Sequence, residues 1–137
     1  MKPKISIVEL NSSNTGLIHN ELIKSNIDYT SEVVQTKKGY VNALHFFKAD
    51  IILSNYTFPE FDGPAAFKIK EEIVPQTPFI FVSESIGEDI VVELIKRGIS
   101  DFVLNGKLSS LTSKMDRAIN EATVVHLNNK NQQSKIN

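Results

Sequence analysis

The stretch Asp50-Ile51-Ile52-Leu53-Ser54-Asn55-Tyr56-Thr57-Phe58-Pro59-Glu60-Phe61-Asp62-Gly63 decides the fold. Ile51-Ile52-Leu53 is a short apolar run closed by polar residues on both sides, the pattern of a strand buried on both faces. Beyond the turn residues around Asp62-Gly63, the apolar side chains Ala66, Ile69 and Ile73 recur at helical spacing. Strand, loop and helix therefore follow one another within a single unit, and Asn55 stands where the strand ends.

The same unit repeats on either side. Ile5-Ser6-Ile7-Val8, Val33-Val34, Phe79-Ile80-Phe81-Val82 and Phe102-Val103-Leu104 supply four more strand-like runs. Between and after them lie the helical sets Leu17, Ile18 and Leu22; Tyr40, Val41, Leu44 and Phe47; Ile90, Val91, Leu94 and Ile95; and Leu108, Leu111, Met115, Ile119 and Ala122. Strands apolar on both faces belong in a parallel sheet with helices on each side, so the fold class is α/β, a doubly wound five-stranded parallel sheet. Gly98, just after Lys96-Arg97, suits the left-handed position that ends the fourth helix. Residues 1–125 form one domain in this reading. From His126 to Asn137 the chain is polar and poor in apolar residues, which predicts a tail or linker.

Composition narrows the function. The chain has 137 residues, and 15 Lys+Arg against 16 Asp+Glu give a net charge of −1. No basic patch marks a nucleic-acid or anionic-membrane binder, so neither partner is expected. The absence of Cys excludes disulfides, thiolate metal sites and cysteine nucleophiles. No apolar run approaches a membrane span and no signal-peptide pattern follows Met1, so the expected location is the cytoplasm.

In an open α/β sheet, ligands bind beyond the carboxyl ends of the strands. The polar residues at those ends are Glu9 and Asn11, then Asn55, then Ser83 and Glu84, and last Asn105. Neither a dinucleotide glycine motif nor a Walker loop is present, since Gly106-Lys107 lacks both the upstream glycine and the following hydroxyl. His19, His45 and His126 have no Cys, Asp or Glu at ligand spacing and read as surface or boundary residues.

From about Lys4 to Glu121 these residues resemble the receiver domain of bacterial two-component response regulators. The segment from Asp50 to Gly63 looks like that family's third strand, phosphoacceptor loop and Pro-x-x-Asp-Gly approach to its third helix. Phe79 to Ser83 and Glu93 to Leu104 look like its fourth strand, fourth helix and fifth strand. The resemblance implies a flavodoxin-like strand order of 2-1-3-4-5. It also implies a site with an aspartate after the third strand, an acid pair after the first, a Thr or Ser after the fourth and a Lys after the fifth. Those positions hold Asn55, Glu9 with Leu10, Ser83 and Asn105, so only Glu9 and Ser83 match. An amide has no anionic oxygen, and Asn55 therefore cannot form an acyl phosphate. One acid is a poor site for Mg²⁺, which relies on carboxylates, so no cofactor is expected and Mg²⁺ should bind weakly or not at all. The several losses are mutually consistent and point to a native pseudo-receiver rather than a single altered residue.

The resemblance further implies no catalysis by this chain, and a protein partner such as a histidine kinase or an effector domain of the same chain. A homodimer through helix four, strand five and helix five is a further expectation. Ser83 and Phe102 occupy the positions of the family's switch hydroxyl and aromatic, and Ile90, Leu94, Phe102 and Ile119 are candidates for the apolar centre of the docking face. Helix four is predicted over about Glu88 to Arg97 and helix five over about Leu108 to Ala122. Asn105-Gly106 reads as an ordinary turn, Lys107 as a solvated lysine and Asp62 as a helix-terminal acid. Asn55 is expected to donate a hydrogen bond to Ser83 or to a loop carbonyl. Two alternatives stand beside this reading: a working receiver that uses Asp62 or Glu60, and a flavodoxin-like FMN protein. The second rests on Asn11-Ser12-Ser13-Asn14-Thr15-Gly16, which partly resembles a flavodoxin phosphate loop but has Ile18 at its last hydroxyl; Ser12 or Ser13 otherwise reads as a helix cap.

Overall fold

A computed structural model describes residues 2–56, 62–84 and 87–136, and of residues 126–136 the backbone alone. In chain order the elements are β1 (Lys4–Val8), α1 (Ser12–Lys24), β2 (Thr30–Val34), α2 (Lys37–Phe46), β3 (Ile51–Ser54), α3 (Gly63–Ile73), β4 (Phe79–Ser83), α4 (Glu88–Arg97) and β5 (Asp101–Leu104). A 3-10 helix (Asn105–Ser110) then leads into α5 (Leu111–Ile136). The five strands form one parallel sheet in the order β2-β1-β3-β4-β5, as the alternation of patterns predicts.

Period-two alternation divides the apolar residues between two cores. Ile52, Phe79 and Phe81 face one layer with Tyr40, Leu44, Phe67 and Leu94 from α2, α3 and α4. Ile51, Leu53, Ile80 and Val82 face the other, with Ile18 and Leu22 of α1 and Leu111, Met115 and Ile119 of α5. Every residue of β3 and β4 is buried, which explains their unbroken apolar runs. Thr30 to Val33 of β2 are exposed because β2 is an edge strand, so only its end was legible as Val33-Val34.

Local chemistry sets the helix boundaries. Asp62 caps α3, its side chain accepting from the Ala65 amide at 2.9 Å, with Pro64 in the first turn. Gly98 ends α4 at φ 112°, the left-handed conformation expected of it. The cap of α1 is Asn11 and not Ser12 or Ser13: Asn11 is the last extended residue, and its Oδ1 accepts from the amides of Ser13 and Asn14. The expected turn at Asn105-Gly106 is the start of the 3-10 helix, and no described peptide bond is cis.

Three expectations require correction. Leu94 is 4 % and Ile119 9 % exposed, and they lie in opposite cores, so neither forms the centre of an external face. Helix five starts at Leu111, because Leu108 belongs to the 3-10 helix. Its backbone also stays helical through Ile136, where the polar composition predicted no order. Extending a helix adds a bond for each residue fixed and avoids the cost of nucleation, and the polar segment contains neither Gly nor Pro to stop it. At 1.5 Å per residue, the 26 residues of α5 span about 39 Å.

The loop after β3 closes against a glycine. Gly63 donates its amide to the Tyr56 carbonyl at 2.6 Å. A Cβ at Gly63 would collide with Phe81 Cε1 and stand 2.9 Å from the Tyr56 backbone, with Tyr56 and Phe81 themselves packed edge to face. Gly63→Ala should therefore destabilise the chain by about 1–3 kcal/mol, the usual cost of overpacking. A drop in the urea midpoint at unchanged slope would register it, and an unchanged midpoint would contradict the close approach.

Candidate functional site

The register of the sheet brings the ends of three strands together. Val8 pairs with Ser54 and Ser54 with Phe81, so Glu9, Asn55 and Ser83 emerge side by side at the carboxyl edge. Backbone bonds fix their starting points: the Asn55 amide donates to the Val8 carbonyl at 2.9 Å and the Glu9 amide to the Val34 carbonyl at 3.2 Å.

Their side chains form a directed chain of hydrogen bonds. Ser83 Oγ donates to Asn55 Oδ1 at 2.8 Å, and Asn55 Nδ2 donates to Glu9 Oε1 at 3.1 Å. The same Glu9 oxygen accepts from the Asn11 amide at 3.0 Å. Glu9 is only 2 % and Ser83 only 4 % exposed, so these bonds act away from bulk water, where an unsatisfied polar group is expensive. The donor order follows from chemistry. An ionised carboxylate can only accept, so the amide turns its NH₂ toward Glu9 and leaves its carbonyl for the hydroxyl. The expected donation from Asn55 to Ser83 is corrected: toward Ser83 it accepts, and it donates to Glu9, while the loop that follows Asn55 lies outside the described residues.

Above this chain of bonds lies a cavity of about 460 Å³ lined by Glu9, Leu10, Asn11, Asn14, Asn55, Ser83, Glu84 and Asn105. All six polar residues singled out from the strand ends line it. Leu10, at the second acid position, is exposed at its rim and offers no oxygen from its side chain. Asn14, quoted from the sequence only within the stretch Asn11 to Gly16, also lines it from the first turn of α1.

Phe102 is placed elsewhere. It is half-buried on β5, opposite Phe81, and with Glu88, Val91, Val92, Leu104, Lys107, Ser110 and Lys114 it lines a separate cavity of about 490 Å³. Lys107 is exposed and belongs to that second cavity, so it supplies no cation to the first. Lys114, also missed from sequence, donates to the Phe102 carbonyl at 2.8 Å and lies 3.6 Å from Asp101 Oδ1, tying α5 to β5. Among the described residues no three His, Cys, Asp or Glu side chains gather to hold a metal ion. None of the described helices is long and apolar enough to cross a membrane.

No protein-family model and no curated protein matches the sequence. Solved structures match the fold. The signal receiver domain ascribed to a Luxo repressor of Vibrio parahaemolyticus superposes with a TM-score of 0.80 at 19% identity, over 93% of this chain and 97% of that one. The receiver domain of a sensor histidine kinase from Pseudomonas aeruginosa, whose active-site cleft coordinates a magnesium ion, gives 0.73 at 21% identity, over 88% of this chain and 99% of that one. The response regulator domain of Thermotoga maritima CheB gives 0.75 at 20% identity, over 88% and 98% respectively. The chain has the receiver fold, a five-stranded flavodoxin-like α/β architecture.

Asn55→Asp tests the electrostatics of the site. The introduced carboxyl would face Glu9 with no N–H between them, so the folded chain should lose about 1–3 kcal/mol at neutral pH. Two carboxyls in contact hold a proton to higher pH in the folded than in the unfolded chain. The variant's stability should therefore fall as pH rises through the pair's raised folded-state range and recover on acidification. Urea denaturation of both proteins across that range gives the difference; a gap that does not narrow on acidification would contradict the Glu9–Asn55 pairing.

Proposed function

We propose that this chain is a receiver-like module of bacterial two-component signalling that takes no phosphoryl group and acts through protein interaction. The observation that carries the proposal is Asn55 at the phosphoacceptor position, bonded to both Glu9 and Ser83. Its amide cannot act as the carboxylate nucleophile of the phosphoacceptor chemistry. The regulatory, non-catalytic role and the signalling context follow from the resemblance of the sequence, to which the receiver folds of the structural neighbours lend support.

The residues do not suit Mg²⁺. Glu9 Oε1 already takes two N–H donors, Asn55 presents its NH₂ to that carboxylate, and Leu10 stands where a second acid would be. A hard cation that wants several oxygens in octahedral array finds Glu9 as the one buried carboxylate of the lining, with Glu84 exposed. The alternatives fare worse. Asp62 is engaged as the cap of α3, and Glu60 lies outside the described residues. An FMN phosphate at the start of α1 would need amides that Asn11 already occupies.

In the family the phosphoryl group draws the hydroxyl after strand four inward. Here Ser83 is held by Asn55 without one, so the balance between states is set by sequence. The docking face for a kinase, an effector domain or a second copy is then α4, β5 and α5. Its apolar part consists of the exposed Ile90, Val92 and Ile95 with the half-buried Phe102, replacing Leu94 and Ile119.

Incubation with acetyl phosphate and Mg²⁺, read by intact mass, should give no gain of a phosphoryl group; stoichiometric modification would overturn the proposal. Millimolar Mg²⁺ should leave the melting temperature nearly unchanged, since ligand stabilisation follows RT ln(1 + [L]/Kd), and a rise of several degrees would count against it.

A further inference from the structure

Glu9 carries a second oxygen that the bonds so far described do not use. Its Oε1 receives both N–H donors, from Asn55 and from the Asn11 main chain. Oε2 receives no hydrogen bond among the described residues. Yet none of the described side-chain nitrogen or oxygen atoms is both buried and without a partner. In a residue 2 % exposed, Oε2 is therefore the atom that reaches solvent, and the space it reaches is the 460 Å³ cavity that Glu9 lines.

The surroundings specify what could meet it. Glu84 is a second acid in the lining, Asn14 and Asn105 add carboxamides, and among the described residues no Lys, Arg or His lines the cavity. The cavity is thus negative, rich in acceptors and without an internal counter-charge. A buried carboxylate oxygen gains most from a cation that can also donate hydrogen bonds. Two of the oxygens that could converge on a bare metal ion are committed elsewhere: Asn55 Oδ1 accepts from Ser83, and Asn11 Oδ1 accepts from two α1 amides. A cation bearing N–H groups has no need of convergent oxygens. It needs acceptors spread along a wall, which Oε2, Glu84 and the carboxamides supply. The volume lies in the lower part of the usual range for small-molecule sites.

We infer that this cavity binds a small organic cation with N–H donors, a guanidinium or primary alkylammonium compound, with Glu9 Oε2 as its main acceptor and Glu84 at the mouth. The inference rests on the proposed absence of metal and phosphoryl group from the same cavity. Binding would fasten to the Ser83–Asn55–Glu9 chain of bonds, making the domain responsive to a metabolite.

Titrations of the whole chain with methylguanidine, butylamine, tetramethylammonium and Mg²⁺, followed by amide chemical shifts in ¹H–¹⁵N spectra, test this. Saturable shifts centred on Glu9, Asn11 and Asn55 are expected with methylguanidine or butylamine and not with tetramethylammonium, which has charge but no N–H. Glu9→Gln should weaken binding by about tenfold or more, the scale of one charge-assisted hydrogen bond. If Glu9→Gln fails to fold, Glu84→Gln should still weaken binding several-fold. Equal binding of tetramethylammonium, or affinity unchanged in the variants, overturns the inference. Failure of both N–H cations to bind also overturns it, and leaves the phosphoryl reading to be judged by acetyl phosphate alone. Saturable Mg²⁺ binding at Glu9 with no response to the organic cations would overturn the inference and the proposed function together.

Discussion

A carboxylate buried at the end of β1 must find donors, and the cavity end of the molecule is arranged around that requirement. Glu9 lies almost wholly out of water, where an unpaired charge costs far more than a hydrogen bond returns. A metal ion or a lysine would satisfy it electrostatically. Leu10 stands beside it where a second acid would help hold a metal, Asn105 directly follows β5, and Lys107 lines the other cavity, so the requirement is met with the Asn55 amide and the Asn11 main chain. The orientation of Asn55 follows, and with it the orientation of Ser83. One amide side chain thus sets the position of the hydroxyl.

That arrangement depends on the sheet beneath it. Because β3 and β4 are buried on both faces, their side chains are committed to two cores and only the strand ends are free to carry polar chemistry. The parallel register then sets Glu9 level with Asn55 and Ser83 one residue further along, though 46 residues separate the first two and 28 the last two. The tight passage of Gly63 beneath Tyr56 and against Phe81 closes the loop that follows Asn55. The scaffold accommodates an amide at Asn55, since core packing does not depend on which polar group sits at a strand end.

The second cavity, on the α4–β5–α5 side, is separate from the first. Phe102 contributes to it and Ser83 to the other, yet the two residues lie on adjacent, hydrogen-bonded strands. Lys114 holds α5 to β5 through the Phe102 carbonyl and Asp101. Any influence of the Asn55 site on a partner at this face would pass through the β4–β5 pair, a short and stiff route.

Much of this was legible in the residues alone. Alternating apolar runs at period two and 3.6 are local properties, so the α/β class, the five strands, the extent of α4 and the stop at Gly98 followed from them directly. That the end of β3 carries an amide and no carboxylate was equally local, because it depends only on the identity of Asn55. Other features needed the assembled fold. Helical spacing marks Leu94 and Ile119 as apolar but cannot say whether their stripe faces a core or a partner; the two packed layers decide that. Composition gave no helix beyond Val125, while continuity with a helix already nucleated did. Most of all, the donor order of Ser83, Asn55 and Glu9 lies between residues remote in sequence, and only the parallel register, by burying Glu9 beside Asn55, determines which atom donates and which accepts.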